Sequence, residues 1–522
     1  MKCRKIIAVL SALTMLTSGM AGFSASAAAK GSGDIDENGA VQIADAILLA
    51  RWIAEDDDIT VTTQGLANAD MNGDELVNPD DAAELLSWLA GTTNTAPPSE
   101  GRSVDLLAGI TAGKATKYDP AESDFRSAQT RFSADLLRQV QGAEPDKDKN
   151  LLVSPLSVSL ALGMTMNGAK GQTLEEMQKV LGDNLTAAQL NGYYAGWSDH
   201  LLSKREITYW GEDEHGYLDR ITKDSAPVTL ANAIWIRNNE QMIHVPVPFL
   251  QTVTDYYHAG AYKAPFDETT VEDINGWCDE NTHHMIPKVI NQLSEDAVMV
   301  LANALTFEDV WDEPYEEYDV MDGKFTASNG EIRDVKMLCD GEGIYLNDGK
   351  ATGFIKPYRD PRYCFAAVLP NEDIPLDEYI AGLDGEALTK LLDSKERCEV
   401  ITKMPKFSYD YSVTLNSVLA ELGMPTAFAD GAADFTGLND AEGMDTWISQ
   451  VLHKTHIELC ESGTKAAAVT VVMMEAGAVM NPPDKPEPKV VKLERPFLFM
   501  ILDRETNLPI FLGTVKDIAP EQ

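Results

Sequence analysis

The sequence predicts a large α+β domain over residues 104–522, preceded by a small all-α module over residues 33–91. Three observations carry this reading. Long apolar strands and amphipathic helices follow one another without a regular strand–helix–strand rhythm, which argues against a parallel sheet with crossover helices. Two loops rich in side-chain oxygens recur at matched spacing near the N-terminus. Near the C-terminus, Glu461–Thr470 is written like a strand in Ala, Thr and Val, yet it opens into Pro- and Gly-rich surface sequence over Glu475–Pro488.

A chain of 522 residues exceeds the roughly 250–300 residues at which a single core stops growing, so more than one domain is expected. The net charge of −41 leaves little to neutralise phosphates, which excludes nucleic acid as a partner and favours divalent cations over membrane surfaces. Met1–Ala29 reads as a secretory signal: Lys2, Arg4 and Lys5, then apolar Ile6–Leu16, then Ala25-Ser26-Ala27 for cleavage. The apolar run is too short for a membrane span. The expected location is therefore outside the cell. Cys278, Cys339, Cys364, Cys398 and Cys460 are scattered and odd in number, so they are expected to be mostly buried free thiols, with one bridge left open.

The small module begins with Asp34-x-Asp36-x-Asn38-Gly39-Ala40, closed by Asp45. It recurs as Asp70-x-Asn72-x-Asp74-Glu75-Leu76, closed by Asp81. Oxygens converging from one tight loop are what a hard calcium ion requires, with the carbonyls of Ala40 and Leu76 as further ligands. Each loop feeds an apolar helix, over 46–54 and 82–89. Asp rather than Glu at the twelfth position, and the short duplication, resemble a dockerin type I module. The resemblance implies two calcium ions and a cohesin module of a cellulosome scaffold as partner, with Ile43, Ala44, Arg51, Pro79 and Asp80 at the binding positions. Glu75 replaces the glycine of the first loop (Gly39), which marks the second site as the weaker. A polar linker over 92–103 follows.

In the large domain the pattern predicts an amphipathic helix over Asp124–Gln141, a helix over Val158–Met166, and strands over Thr229–Ile236, Ala297–Phe307 and Ile448–Leu459. It further predicts a helix over Ser412–Leu422 and a hairpin of Phe497–Leu502 with Ile510–Val515. Within the strand-like loop, Thr464, Ala466, Ala468, Thr470 and Val472 line one face and Lys465 the other. No proline or acidic residue interrupts Gly463–Met474, so the segment is free to become a central strand.

The motif E-x-G-T-x-A-A-A-x-T at Glu461, Gly463, Thr464, Ala466, Ala467, Ala468 and Thr470 resembles the reactive-loop hinge of the serpin family. Further blocks match in order: Asn150–Ser157, then Asn303, Ala304, Phe307 and Trp311, then Pro405–Ser408, Ile448–Lys454 and Arg495–Phe499. His284 stands where the family has glycine in the T-x-G-x-I turn. The resemblance implies a serpin fold of three β-sheets with surrounding helices and an exposed reactive-centre loop. It places Ser154, Ser157, Asn303 and His453 at the shutter of the main sheet and Trp311 at its breach.

It also implies a monomeric suicide inhibitor of a serine protease, with no catalytic residue of its own. Counting from Glu461 as serpin loops count puts the reactive bond at Gly477–Ala478, with Met474 and Met480 as alternatives. The apolar surroundings point to a subtilisin-like or elastase-like target. A non-inhibitory carrier or chaperone serpin is the alternative, and a dockerin-borne polysaccharide hydrolase a more distant one. No G-x-S-x-G, H-E-x-x-H or C-x-x-C occurs, and the adjacent His283 and His284 are poorly placed to face one metal ion.

Overall fold

Secondary structure follows the apolar periodicity closely in the computed structural model. It describes residues 33, 35, 43–53, 61–71, 77–78, 81–82, 85, 103–212, 218–238, 243–294, 297–441, 446–464 and 487–518. The signal stretch, most of the oxygen-rich loops, Pro79, Asp80, the linker up to residue 102 and residues 465–486 lie outside the described residues. The chain divides into two units, Met1–Arg102 and Ser103–Gln522.

In the first unit, α1 (Ile43–Ile53) and α2 (Thr63–Ala69) surround a small core of Ile35, Ala46, Leu49, Ala69, Met71, Ala82 and Leu85. Ile35, Ala46 and Leu49 have their equivalents in Met71, Ala82 and Leu85, at the same positions of the second repeat. Each repeat alone has too little apolar surface for a core, and the duplication supplies the other half.

In the second unit, β1 (Val104–Asp105) precedes α3 (Ser123–Ala143), which buries Phe125, Phe132, Leu136 and Val140 on one stripe. Next come β2 (Leu152–Val153) and α4 (Pro155–Met166), whose residues are buried all round because it runs through the middle of the domain. Ser154 caps α4 by accepting from Ser157 N, and Pro155 occupies the first helical position. Helices α5 (Gly171–Gly182) and α6 (Ala187–Leu202) lead to an antiparallel hairpin of β3 (Arg205–Glu212) and β4 (Leu218–Ser225).

Then follow β5 (Val228–Arg237), α7 (Val247–Tyr257), β6 (Gly260–Ala264), α8 (Glu268–Asn281), β7 (Met299–Phe307) and β8 (Asp309–Val310). The chain continues through β9 (Val320–Thr326), β10 (Ile332–Asn347), β11 (Ala351–Pro357), β12 (Tyr363–Pro370), α9 (Leu376–Ala381) and α10 (Gly385–Asp393). It closes with β13 (Glu396–Pro405), β14 (Phe407–Thr414), α11 (Asn416–Glu421), β15 (Gln450–Leu459), β16 (Gly463–Thr464), β17 (Lys489–Lys492), β18 (Phe497–Asp503) and β19 (Pro509–Val515).

Among the described residues the strands form an eight-stranded sheet ordered β1-β6-β5-β7-β15-β16-β8 with β14 beside β15, a nine-stranded sheet, and the β3–β4 hairpin. The helix expected over Ser412–Leu422 is shorter than the pattern suggested: Ser412–Thr414 pair as strand with Leu452–Lys454, and helix begins at Asn416. Three residues with helical spacing were claimed by the ladder because Val413 lies opposite His453. Cys278, Cys339, Cys364, Cys398 and Cys460 are free, Cys278 and Cys364 being buried.

Alternation on the large sheet is strict. Odd-numbered residues of β15 (Val451, His453, Thr455, Ile457, Leu459) face the main core, while Leu452 joins Val300, Ala302 and Trp235 beneath α8. The turn after α8 holds His283 and His284 at φ 48° and 63°, the left-handed region in which a side chain costs about 1 kcal/mol. His284 is kept there by Asp279, whose carbonyl accepts from His284 N at 2.9 Å and whose carboxylate meets Nδ1 at 2.7 Å. Replacing His284 by glycine is therefore expected to raise unfolding stability by about 0.5–1 kcal/mol. Urea melts of H284G showing a loss of stability would mean that the Asp279 contact outweighs the backbone strain.

Candidate functional site

Strand β15 ends at Leu459, and Cys460–Ser462 turn the chain back on itself. Thr464 then pairs antiparallel with Leu459 on one side, while Gly463 and Thr464 pair antiparallel with Val310 and Asp309 on the other. Gly463 is demanded by that approach, since a Cβ there would stand 2.1 Å from the Asp309 carbonyl oxygen and 2.7 Å from Val310 Cα. Trp311, fully buried, fastens the turn: its backbone N donates to Ser462 O at 2.9 Å and its Nε1 to Cys460 O at 3.0 Å. The ring stacks on Tyr358 at 4.6 Å, and the Tyr358 hydroxyl meets Thr464 Oγ1 at 2.5 Å. Glu461 accepts from Tyr315 N and pairs with Lys406 at 2.7 Å. Burial opposes its charge, but the Lys406 ammonium outweighs this and holds the carboxyl below its ordinary range.

Below this turn, β7 and β15 run parallel but pair only at Val300–Gln450 and Leu301–Val451. Above those pairs the two strands part. Leu305, Thr306 and Phe307 line one wall of the gap and His456, Ile457 and Glu458 the other, with Thr464 at the top and Met285 and Ile286 over it. Two parallel strands separated by one strand's width can accept a third, antiparallel to both. Thr464 already runs in that direction.

At the foot of the gap lies a hydrogen-bonded cluster. Ser154 N donates to His453 Nε2 at 3.0 Å, and Ser154 Oγ donates to Ile510 O at 2.8 Å. Ser157 Oγ meets the Asn303 side-chain oxygen, and Asn303 Nδ2 donates to Ser157 O at 3.2 Å and to Asn232 Oδ1. These contacts join α4, β5, β7 and β15, so Ser154, Ser157, Asn303 and His453 are brought together. Because His453 accepts from a backbone N–H it is the neutral imidazole, and burial pushes its pKa down to about 4.

The sign follows from proton counts. Between pH 6.5 and about 4 the unfolded chain takes up a proton at His453 that the folded chain refuses. Stability therefore falls as pH falls through that window, on the order of 3 kcal/mol in full. Urea melts at pH 7 and pH 4.5 are expected to differ more for the native chain than for H453N. Equal differences would remove His453 as the cause.

Several residues of this site carried no spacing signal. Tyr358 and Asp309 are placed by the fold alone, and Lys406, which lies in the Pro405–Ser408 block, gains its Glu461 partner only in the fold. Burial pushes the Asp309 carboxyl up to about 7. Behind Trp311, Lys356 is buried and pairs with Glu342 at 2.8 Å, and burial raises the Glu342 carboxyl to about 7. Ala466, Ala467, Ala468, Thr470, Met474, Gly477, Ala478 and Met480 lie outside the described residues. His283 and His284 do not share a target: the first faces Glu308 at 3.2 Å, the second Asp279.

In the N-terminal unit, Asp45 and Asp81 are fully buried. Asp45 Oδ1 accepts from Ile35 N at 2.7 Å and Asp81 Oδ2 from Asn78 N at 2.8 Å. Each closing carboxylate thus folds back over the loop it ends, as a cation-enclosing loop requires. Two buried acids joined to oxygen-rich loops fit a hard divalent ion, with Asp70 at the start of the second loop. The remaining proposed ligands (Asp34, Asp36, Asn38, Ala40, Asn72, Asp74 and Leu76) lie outside the described residues. Ile43 and Ala44 fall in the first turn of α1, and Arg51 is exposed near its end.

A mixed α+β body whose principal sheet carries a parted central pair, with a hinge strand started between them, defines the serpin fold. Residues 127–518 match the family Serpin (serine protease inhibitor), and the chain belongs to it. Residues 32–89 match the dockerin type I domain. An uncharacterised serpin-like protein of Thermococcus kodakarensis is 28% identical over 411 residues, 77% of this chain and 88% of that protein. The crystal structure of the thermophilic serpin Tengpin in its native state superposes with a TM-score of 0.71 and 36% identity, covering 80% of this chain and all of that one. The latent state of Tengpin gives 0.63 and 34%, covering 77% of this chain and all of that one.

Proposed function

We propose that this chain is a secreted suicide inhibitor of a subtilisin-like or elastase-like serine protease, docked on a cellulosome scaffold through calcium-dependent binding of a cohesin module. In this reading 1–29 is the removed signal, 33–91 the docking module, 92–103 the linker and 104–522 the inhibitor. The protein supplies no catalyst. The protease acylates itself on the exposed loop, and insertion of the freed loop between β7 and β15 distorts it before water releases it.

The observation that carries the reading is the gap itself, whose two walls share one register with the hinge. Extending Thr464–Leu459 sets Ala466 opposite Ile457, Ala468 opposite Thr455 and Thr470 opposite His453. Extending Thr464–Asp309 sets the same residues opposite Phe307, Leu305 and Asn303. Small or β-branched side chains thus fall on the core face, and Thr470 reaches the serine–histidine–asparagine cluster. Loop insertion driven by stored strain is a known class of switch, for which serpins are a standard example, and the uncleaved state is then held by a barrier rather than by its equilibrium stability.

The test is incubation with subtilisin. An SDS-stable complex and a released fragment beginning within residues 475–481 are expected, with Gly477–Ala478 as the cut bond. Cleavage without a complex would favour a carrier role. A cut elsewhere would move the reactive bond.

The docking module is proposed to hold two calcium ions through the carboxylates and carbonyls of its two loops. Ile43, Ala44, Arg51, Pro79 and Asp80 are assigned to the cohesin face. No helix among the described residues is long and apolar enough to cross a membrane.

A further inference from the structure

We propose that Glu308 and Glu458 form a charge-selective mouth to the gap, and that its occupant is Lys465. The inference rests on the insertion reading above and adds what selects and steers the strand that enters.

The two carboxylates stand on opposite walls. Glu308 follows β7 directly, and its Oε1 meets His283 Nδ1 at 3.2 Å on the side of the sheet that α8 covers. Glu458 lies on β15 in the even-numbered set that faces the same side, and it is exposed. The register fixes what each would meet. If β7 and β15 simply zipped shut, continuing Val300–Gln450 and Leu301–Val451 would bring Glu308 opposite Glu458. Like charges directly opposite one another disfavour a sheet. With a strand inserted, one step beyond Thr464 sets Lys465 opposite Glu458 by the β15 register and opposite Glu308 by the β8 register. Lys465 is the one cation in Gly463–Met474, and it falls where two carboxylates converge. The same pair therefore resists closure of the empty sheet and favours the first residue of the loop to enter it.

Lys465 acts here as a positioning residue for insertion. Its effect is electrostatic and near the surface, so it weakens at high salt.

The experiment compares the native chain, K465E, K465A and the triple swap E308K/E458K/K465E against subtilisin, at 50 mM and 500 mM NaCl. K465E should trap about tenfold less protease per loop cleaved at low salt, with K465A between it and the native chain. The swap should restore trapping, and high salt should narrow all differences. Equal trapping by K465E and the native chain, or a swap no better than K465E, overturns the charge-selective mouth. If the native chain itself forms no SDS-stable complex and gains no thermal stability on loop cleavage, the insertion reading fails instead. The two failures are thereby distinct. Circular dichroism of the uncleaved swap variant confirms that its two sheet substitutions are tolerated, and K465E tests the proposal without touching the sheet.

Discussion

Ala466→Arg is expected to convert the inhibitor into a substrate. On the proposed insertion, extending the hinge register beyond Thr464 would set residue 466 between Ile457 and Phe307, both nearly inaccessible to water. An arginine there must be buried without a partner, at a cost of several kcal/mol. Trapping is a race between insertion and deacylation, so a penalty of that size slows insertion by orders of magnitude and hands the race to water. Thr464 is a less clean position. It is already buried with its hydroxyl on Tyr358, so a large cation there also disturbs the uncleaved protein. The measurement is gel electrophoresis of A466R with a subtilisin-like protease: cleaved chain should accumulate and complex should vanish. Undiminished complex from A466R would exclude insertion along this register.

Much of the fold was legible because its elements are long and their periods unambiguous. Phe125, Phe132 and Leu136 mark the α3 stripe, and Phe497–Leu502 with Ile510–Val515 mark the final hairpin. The hinge was legible for another reason: small and β-branched residues beside a proline-rich loop are an unusual combination. What escaped was tertiary. Ser412–Thr414 carried helical spacing, yet the Val413–His453 pairing took them into strand. The fastening of the hinge by Tyr358 and Lys406 depends on segments some 50–100 residues away in sequence. Spacing within a motif says nothing about such partners. Glu308 and Glu458 show the limit most clearly. Each reads as an ordinary surface acid, and only the shared register of three strands shows that the two carboxylates stand level on opposite walls of the gap. His284, by contrast, stands where the T-x-G-x-I turn has glycine and adopts a left-handed backbone, with Asp279 binding both its backbone and its ring.

Removal of calcium is expected to abolish cohesin binding while leaving protease trapping intact. Among the described residues the module's core comprises seven buried apolar side chains, and a unit of this size is marginal without help from metal binding. The help available is the convergence of Asp45 and Asp81 on their loops. These two acids are fully buried, and each accepts a backbone N–H of its own loop, Asp45 from Ile35 and Asp81 from Asn78. On the proposed calcium binding, ion binding would be coupled to folding of this unit. The large domain has its own extensive core, and no metal-binding acidic cluster occurs among its described residues, so chelation should not reach it.

Excess EGTA should accordingly reduce cohesin affinity by at least a hundredfold, and calcium should restore it. The yield of SDS-stable complex with subtilisin should not change. D45A is expected to weaken binding more than D81A, because the second loop carries Glu75 in place of the turn glycine and contributes the weaker site. Cohesin affinity that survives chelation would sink the calcium-dependent docking. A parallel loss of protease trapping would show instead that the two units are energetically linked.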